Sequence, residues 1–156
     1  MTRAYEVVET EVAARTVAGV RARVARDRIS LEFGAYLNQV YAAAKSGAVA
    51  LDGQNIFIYH NESDGLLTVD FCVGITAPFT ATGAVVPTLT PAGVAATTVH
   101  IGDYKAMGGA HDAIHAWGRA NKRELAGPSW EVYGHWNPDP AQCRTDIFYL
   151  LRRPQS

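Results

Sequence analysis

Two segments of this sequence match each other in the same order. The matched pairs are Ala18-Gly19-Val20 with Ala92-Gly93-Val94, Gly53 with Gly127, Tyr59 with Tyr133, and Asp70 with Asp146. The first three pairs are 74 positions apart and the fourth pair is 76 positions apart. Four matches at nearly one spacing indicate an internal duplication, which limits the fold to one that two similar halves can build.

The two copies predict the same order of elements, namely a strand, a helix and two more strands. Apolar residues at helical spacing indicate the helices, and alternating or β-rich runs indicate the strands. The first copy has predicted strands at 15–25, 55–61 and 66–76 and a predicted helix at 29–46. The second copy has predicted strands at 93–100, 129–136 and 144–151 and a predicted helix at 104–125. Asp103 is the candidate N-cap of the second helix, and Gly53 and Gly127 are expected in turns.

These elements predict an α+β fold that forms a single domain over residues 1–156. Repeat one covers about 12–76 and repeat two covers about 92–152, while residues 77–91 form a connector with three prolines and room for a short edge strand. The duplicated strand–helix–strand–strand units are expected to form an antiparallel sheet with two helices. A ligand groove is expected on the pseudo-twofold seam between the two units.

Composition excludes several classes of function. The 156 residues include 14 basic and 15 acidic side chains, which leaves no general electrostatic footprint for nucleic acid. No apolar run is long enough to span a bilayer, and the first residues lack the apolar core of a signal peptide. The two cysteines form no CxxC pattern, which fits a reducing compartment. We therefore expect a cytoplasmic protein that binds no membrane and no nucleic acid directly.

Several short motifs follow one another in the second copy. They are Pro91-Ala92-Gly93, His100-Ile101-Gly102-Asp103-Tyr104, Gly127-Pro128-Ser129-Trp130-Glu131-Val132-Tyr133 and Arg144-Thr145-Asp146-Ile147. With these motifs and the duplicated elements, the sequence resembles the GyrI-like small-molecule-binding family over nearly its whole length. The same domain is the effector-binding part of multidrug-responsive regulators. Two copies of 74 residues leave no room for a helix-turn-helix, so the chain resembles a stand-alone member.

The resemblance implies a groove that is lined with aromatic side chains and holds an acidic residue. By its place in the E-x-Y segment, that residue is Glu131. In the regulators it receives lipophilic cations, so the implied ligand is an amphipathic or cationic aromatic drug or toxin. Other stand-alone members are hydrolases that detoxify cyclopropane-bearing DNA-alkylating compounds, and further relatives inhibit gyrase by binding a protein. Whether the protein binds a toxin or hydrolyses it, the resemblance implies a role in toxin resistance.

Glu131 is also the sharpest candidate for chemistry, although its strand alone favours a solvated glutamate on an exposed strand face and only the resemblance favours a groove contact. Side chains alternate along a strand, so Trp130 and Val132 share one face while Glu131 and Tyr133 share the other. If Trp130 and Val132 meet the helix, the carboxylate points at the seam, opposite its repeat mate Phe57. A carboxylate among aromatic rings is poorly solvated, and an apolar cation satisfies both the charge and the rings.

Aromatic side chains supply the other candidate ligand contacts. The chain has 3 Trp, 7 Tyr and 5 Phe, and most of these are expected in the core. The predicted ligand-binding residues are Glu131, Tyr133, Tyr104, Trp117, Trp136, Phe57 and Tyr149. Trp117 lies on the inner stripe of the second helix, where core packing is its alternative role. The last strand sends either Phe148 or Tyr149 towards the groove.

The pair His111 and His115 has the spacing of two zinc ligands on one helix face, with Asp112 between them. Both histidines lie at the edge of the buried stripe and no third ligand is evident. Partly exposed histidines are therefore favoured over a metal site. The sequence also contains no glycine-rich phosphate loop. We predict no metal and no cofactor.

Three functions stay open on these grounds. The first is a binding module in which Glu131 is the counter-charge for an amphipathic or cationic aromatic molecule. The second is a hydrolase in which Glu131 acts as general base on a water that opens a strained ring, while Tyr133 or Tyr104 donates a hydrogen bond to the leaving oxygen. Binding of a partner protein is a third alternative. We favour binding of a small molecule.

Overall fold

The computed structural model describes residues 5–135 and 137–153. Its elements are β1 (Val8–Val12), β2 (Thr16–Val24), α1 (Ile29–Lys45), β3 (Leu51–Ser63), β4 (Leu66–Ile75), β5 (Val86–Leu89), β6 (Gly93–Ile101), α2 (Gly108–Ala120), β7 (Leu125–Tyr133) and β8 (Arg144–Leu151). They fall into two units. The first unit is Ala14–Thr90, and the second unit combines the described parts of Met1–Ala13 and Pro91–Ser156. Neither helix in the described ranges is long and apolar enough to cross a membrane.

The first unit is built on four antiparallel strands in the order β3-β4-β2-β5. Helix α1 covers one face of these strands and buries Leu37 and Val40. Phe57 of β3 and Phe71 of β4 are cross-strand partners whose ring centroids lie 5.0 Å apart. Tyr36 of α1 stacks on Phe71 at 5.1 Å. The aromatic face of the first unit is therefore the face that α1 covers.

The second unit has the equivalent order β7-β8-β6-β1, again antiparallel throughout. Ala110 and Ile114 of α2 join Ala96 of β6 and Ile147 and Leu151 of β8 in one apolar core. The order β2-α1-β3-β4 in the first unit thus returns as β6-α2-β7-β8 in the second. The predicted α+β fold, with duplicated strand–helix–strand–strand units, antiparallel strands and two helices, is confirmed.

In each unit the fourth strand comes from outside the repeated elements. Strand β5 lies within the predicted connector and pairs with β2, at the place where the sequence leaves room for an edge strand. Strand β1 pairs with β6. The sequence does not predict β1, because all five of its residues stay at least partly exposed and no buried face marks it.

Gly53 and Gly127 lie inside strands, which corrects the expectation that they lie in turns. Gly53 has a φ of 85° and sits at a register shift of the β3–β4 ladder, while Gly127 has a φ of 120° at a register shift of the β7–β8 ladder. Glycine adopts a positive φ without a steric penalty, so a bulge can form there and the strand continues. Strands β3 and β7 consequently begin four residues earlier than the sequence predicts.

Helix α2 is shorter than the predicted span of 104–125. Residues Tyr104–Ala106 form a 3-10 turn, which Asp103 caps by accepting a hydrogen bond from the backbone N–H of Lys105. The α-helix begins only at Gly108, after this turn, and its first two residues are the glycines Gly108 and Gly109. It ends at Ala120, after which Lys122 takes a φ of 54° and the chain turns into β7.

The strand ladders define which residues of the two copies correspond. The cross-strand rows are Ile58–Asp70–Arg21 in the first unit and Val132–Asp146–Val99 in the second. Strands β3 and β7 therefore correspond at a spacing of 74 residues, which makes Phe57 the counterpart of Glu131. Strands β2 and β6 correspond at a spacing of 78 residues. The match of 18–20 with 92–94 at a spacing of 74 is thus four residues out of register.

Asp70 is a buried carboxylate in the first unit that two basic side chains hold. Its Oδ1 and Oδ2 accept hydrogen bonds from Nε and Nη2 of Arg21 at 2.8 and 3.0 Å, and Oδ2 lies 2.7 Å from Nε2 of His60. Burial opposes ionisation, but the hydrogen bonds and charges of His60 and Arg21 outweigh it and lower the pKa of Asp70 from 3.8 to about 2.

Acidification is expected to weaken the first unit through Asp70. Its pKa in the folded protein lies below its unfolded value, so its stabilisation of about 2 kcal/mol is present above pH 4 and is lost as the pH falls towards 2. Urea unfolding of the wild type and of Asp70→Asn measures this. The difference between their unfolding free energies should fall by about 1 kcal/mol from pH 5 to pH 3. An equal difference at both pH values would show that the Asp70 charge does not contribute.

Candidate functional site

Glu131 of β7 is a nearly fully buried carboxylate that is 4% exposed. Its Oε2 lies 2.8 Å from Nε2 of His111, which α2 provides. Its Oε1 accepts a hydrogen bond of 2.7 Å from the hydroxyl of Tyr133, two residues along the same strand. Both carboxylate oxygens therefore have hydrogen-bond partners within the second unit, as a buried charge requires.

The register of β7 and β8 shows which way Glu131 points. Glu131 is the cross-strand partner of Ile147, which packs under α2 in the apolar core. Trp130 is the partner of Phe148 and stacks on it at 5.1 Å on the other face. The predicted alternation is present, but Glu131 and not Trp130 faces the helix. The condition that Trp130 and Val132 meet the helix is therefore not fulfilled, since the carboxylate lies under α2 and contacts His111.

His111 extends the hydrogen bonds of Glu131 to a second tyrosine. Its Nδ1 lies 2.7 Å from the hydroxyl of Tyr149 on β8, while its Nε2 contacts Glu131. Tyr133, Glu131, His111 and Tyr149 thus form a continuous chain of hydrogen bonds, which we call the Glu131 network. The network joins α2 to β7 and β8, and it combines a carboxylate, an imidazole and two phenols.

Further rings surround the Glu131 network. Tyr104, in the 3-10 turn before α2, meets the ring of Tyr133 edge to face at a centroid distance of 5.4 Å. His115, one turn after His111, meets Tyr149 in the same way at 5.0 Å. Tyr104 is 37% exposed, and burial and the neighbouring Cys143 raise the pKa of its phenol. Both tyrosines of the network therefore contact an exposed ring.

Four of the seven predicted ligand residues lie together in the second unit, namely Glu131, Tyr133, Tyr149 and Tyr104. Tyr149 shares the face of Glu131, whereas Phe148 lies on the opposite face with Trp130. Trp117 packs against the apolar core of α2, the alternative role that its helical position predicts. Trp136 lies outside the described residues.

Phe57, the counterpart of Glu131, lies in the first unit. Its ring is 94% buried and packs against Phe71 at 5.0 Å and against Phe33 of α1 at 5.8 Å. Like Glu131 in the second unit, it occupies the face that the helix of its own unit covers. The two copies thus place an aromatic ring and a carboxylate at equivalent positions.

The sequence analysis missed His111 as a partner of Glu131. The two residues are 20 positions apart on different elements, so no spacing rule connects them. The position of His111 at the edge of the buried stripe was the one available signal, since a helix edge faces the neighbouring strands. Across residues 5–135 and 137–153, no group of three or more His, Cys, Asp or Glu side chains could hold a metal ion.

Comparison with known proteins identifies relatives of the whole chain. The family model described as GyrI-like small molecule binding domain matches residues 5–152. The crystal structure of the EcmrR C-terminal domain superposes with a TM-score of 0.76 at 22% identity, covering 96% of this chain and 99% of that one. The cryo-EM structure of an EcmrR–DNA complex gives a TM-score of 0.78 at 19% identity, and the match covers 96% of this chain but 58% of EcmrR.

Two more distant structures share the fold. SAV2435, solved bound to tetraphenylphosphonium, has a TM-score of 0.63 at 12% identity, with 94% of each chain covered. A hydrolase from Listeria innocua has a TM-score of 0.60 at 10% identity, with 96% of this chain and 93% of that chain covered. No curated protein matches the sequence significantly.

The family match covers nearly the whole chain, including both copies of the strand–helix–strand–strand unit and the segment that carries Glu131. The predicted resemblance is confirmed. This chain belongs to the family of GyrI-like small-molecule-binding domains.

Proposed function

We propose that this protein binds an amphipathic aromatic cation with Glu131 as its counter-charge. The observation that carries the proposal is a carboxylate that is 4% exposed and lies among Tyr133, Tyr149 and the imidazole of His111. Removing a carboxylate from water is unfavourable, and a neutral hydrogen-bond donor offsets only part of that cost. A cation at this place gains the remaining electrostatic energy.

Aromatic side chains around the carboxylate favour a cation that is itself apolar. Tyr104 and Tyr133 meet edge to face beside Glu131, and Tyr149 meets His111, the partner of Glu131, in the same way. Ring faces attract a cation within roughly 6 Å, most strongly where water is excluded. A hydrated metal ion or a primary amine would lose its water here, whereas a cation with phenyl substituents has little water to lose.

The proposal extends to the biological role and the cellular location of the protein. Holding a toxic cation away from its target would protect a cell, so we assign the protein to toxin resistance by sequestration. Both cysteines, Cys72 and Cys143, are buried and unpaired. Free thiols fit the reducing cytoplasm, which is where such a protein would meet a drug that has entered the cell.

Titration of the full chain with tetraphenylphosphonium tests the proposal. This probe has a permanent charge, and quenching of tryptophan fluorescence reports its binding. We expect saturable 1:1 binding that is at least tenfold tighter than binding of triphenylphosphine oxide, a neutral compound in which an oxygen replaces one phenyl group. Equal affinity for the two compounds, or no binding of the cation, would overturn the proposal.

Turnover distinguishes binding from the hydrolase alternative. The protein is incubated with an excess of a cyclopropane-bearing alkylating compound, and the loss of that compound is followed by chromatography. Sequestration predicts the loss of at most one equivalent per chain. Loss of many equivalents, abolished by Glu131→Gln, would show instead that Glu131 acts as a general base.

A further inference from the structure

The Glu131 network contains one side chain that can change the charge of the site, which is His111. Its Nε2 lies 2.8 Å from Oε2 of Glu131 and its Nδ1 lies 2.7 Å from the hydroxyl of Tyr149. The side chain of His111 is 23% exposed, so protons from solvent can reach it, whereas the side chain of Glu131 is 5% exposed. Histidine is the side chain that ordinarily changes charge between pH 5 and pH 8.

Hydrogen-bond chemistry shows that His111 can take up a proton without moving. A carboxylate only accepts hydrogen bonds, so Nε2 of His111 donates to Glu131. In the neutral imidazole, Nδ1 accepts a hydrogen bond from the Tyr149 hydroxyl. When Nδ1 is protonated it donates to the same oxygen, which requires only that the hydroxyl of Tyr149 rotates. Both charge states therefore fit the geometry.

The two charge states differ in what the site can hold. With neutral His111, the pair of Glu131 and His111 carries one negative charge. With protonated His111, the pair is neutral and the carboxylate already has a cation at 2.8 Å. A second cation would then meet a positive imidazole at short range in a poorly solvated place, where charges interact more strongly than in water.

We propose that His111 determines the ligand charge that this site accepts, because a bound cation replaces the second proton of His111. The inference rests on the proposed function, since it concerns the same site and the same class of ligand. The site then takes a permanent cation at neutral or alkaline pH and releases it on acidification. By linkage, cation and proton weaken each other to the same extent.

Several other titratable and charged side chains lie near His111. Helix α2 itself carries Asp112 and His115, both exposed, and His115 contacts the ring of Tyr149. The strands and the 3-10 turn provide Glu131 and the phenols of Tyr133, Tyr149 and Tyr104. Phenols change charge far above neutral pH. His115 is therefore the group whose titration has to be separated from that of His111.

The test measures the dissociation constant of tetraphenylphosphonium from pH 8 to pH 5 in the wild type, His111→Gln and His115→Gln. Because the probe has a permanent charge, its own protonation does not contribute. We expect the wild-type constant to rise at least roughly tenfold over this range, with a limit of one tenfold step per pH unit for one proton. His111→Gln should flatten the dependence to less than about threefold, while His115→Gln should retain it.

A second measurement keeps the test valid if His111→Gln does not fold. Calorimetry of the wild type at pH 6 in two buffers of different ionisation enthalpy gives the number of protons released on binding. The proposal predicts release of up to one proton with tetraphenylphosphonium and none with triphenylphosphine oxide. Tight cation binding without pH dependence or proton release would overturn the role of His111 and leave the proposed function standing. Absence of cation binding at every pH would overturn the proposed function itself.

Discussion

Replacing Glu131 by glutamine is expected to weaken the binding of tetraphenylphosphonium at pH 8 by roughly tenfold to hundredfold, or about 1.4 to 2.8 kcal/mol. Glutamine has the same shape as glutamate and removes only the charge. Its carbonyl can accept the hydrogen bond of Tyr133, and its amide can donate to Nε2 of the other neutral tautomer of His111. The variant should therefore fold, and the loss of affinity measures the electrostatic contribution of the carboxylate.

A matched control separates this local effect from a change of net charge. Glu124 lies just before β7 in the same unit, and its side chain is 79% exposed. Glu124→Gln removes the same charge from a place where water and salt screen it, so its affinity for the cation should stay within about twofold of the wild type. Calorimetry of both variants at one ionic strength makes the comparison. Equal losses in the two variants would mean that Glu131 is not the counter-charge.

Replacing Ile114 by alanine is expected to lower the free energy of unfolding by about 2 to 5 kcal/mol. Ile114 is fully buried on α2 and packs in the core formed with Ala96, Ala110, Ile147 and Leu151. The smaller side chain leaves a cavity because Ala96, Ile147 and Leu151 belong to paired strands and can move in only partly. Urea unfolding followed by circular dichroism measures the loss.

Leu31 provides the comparison for Ile114, since it is also an aliphatic residue on a helix. It is 72% exposed on α1, so that Leu31→Ala removes little buried surface. Its unfolding free energy should change by no more than about 0.5 kcal/mol. A similar loss in the two variants would show that the core around Ile114 is not closely packed.

Helices and strands that bury an apolar face are predictable from the sequence. The stripe of α1 predicts a helix at 29–46, and the structure has Ile29–Lys45. The prediction of the second helix is wrong at both ends, because a 3-10 turn takes the place of its first residues and the chain leaves the helix after Ala120, where Lys122 has a positive φ. Periodicity carries no information on either backbone feature. The bulges at Gly53 and Gly127 cannot be predicted from periodicity either. Glycine occurs both in turns and in bulges, so the residue type does not distinguish the two.

The candidate site is predictable only in part, and the reason is the packing of α2. Alternation along β7 shows that Glu131 and Tyr133 share a face, but it does not show which face meets the helix. The answer depends on His111, which reaches Glu131 only once α2 packs on β6 and β8. Sequence spacing likewise cannot distinguish two partly exposed histidines from one that pairs with a carboxylate 20 residues away. The resemblance to the family supplied Glu131, and the three-dimensional arrangement supplied its partners.

The central claim, that Glu131 is the counter-charge of a bound aromatic cation, is tested most directly by a crystal structure of the full chain with tetraphenylphosphonium. We expect the phosphonium beside the Glu131 carboxylate and within roughly 6 Å of the ring of Tyr133 or Tyr104. The claim would be contradicted if the cation were bound at another place. In that case no cation would lie beside Glu131, and its hydrogen bonds to His111 and Tyr133 would be unchanged.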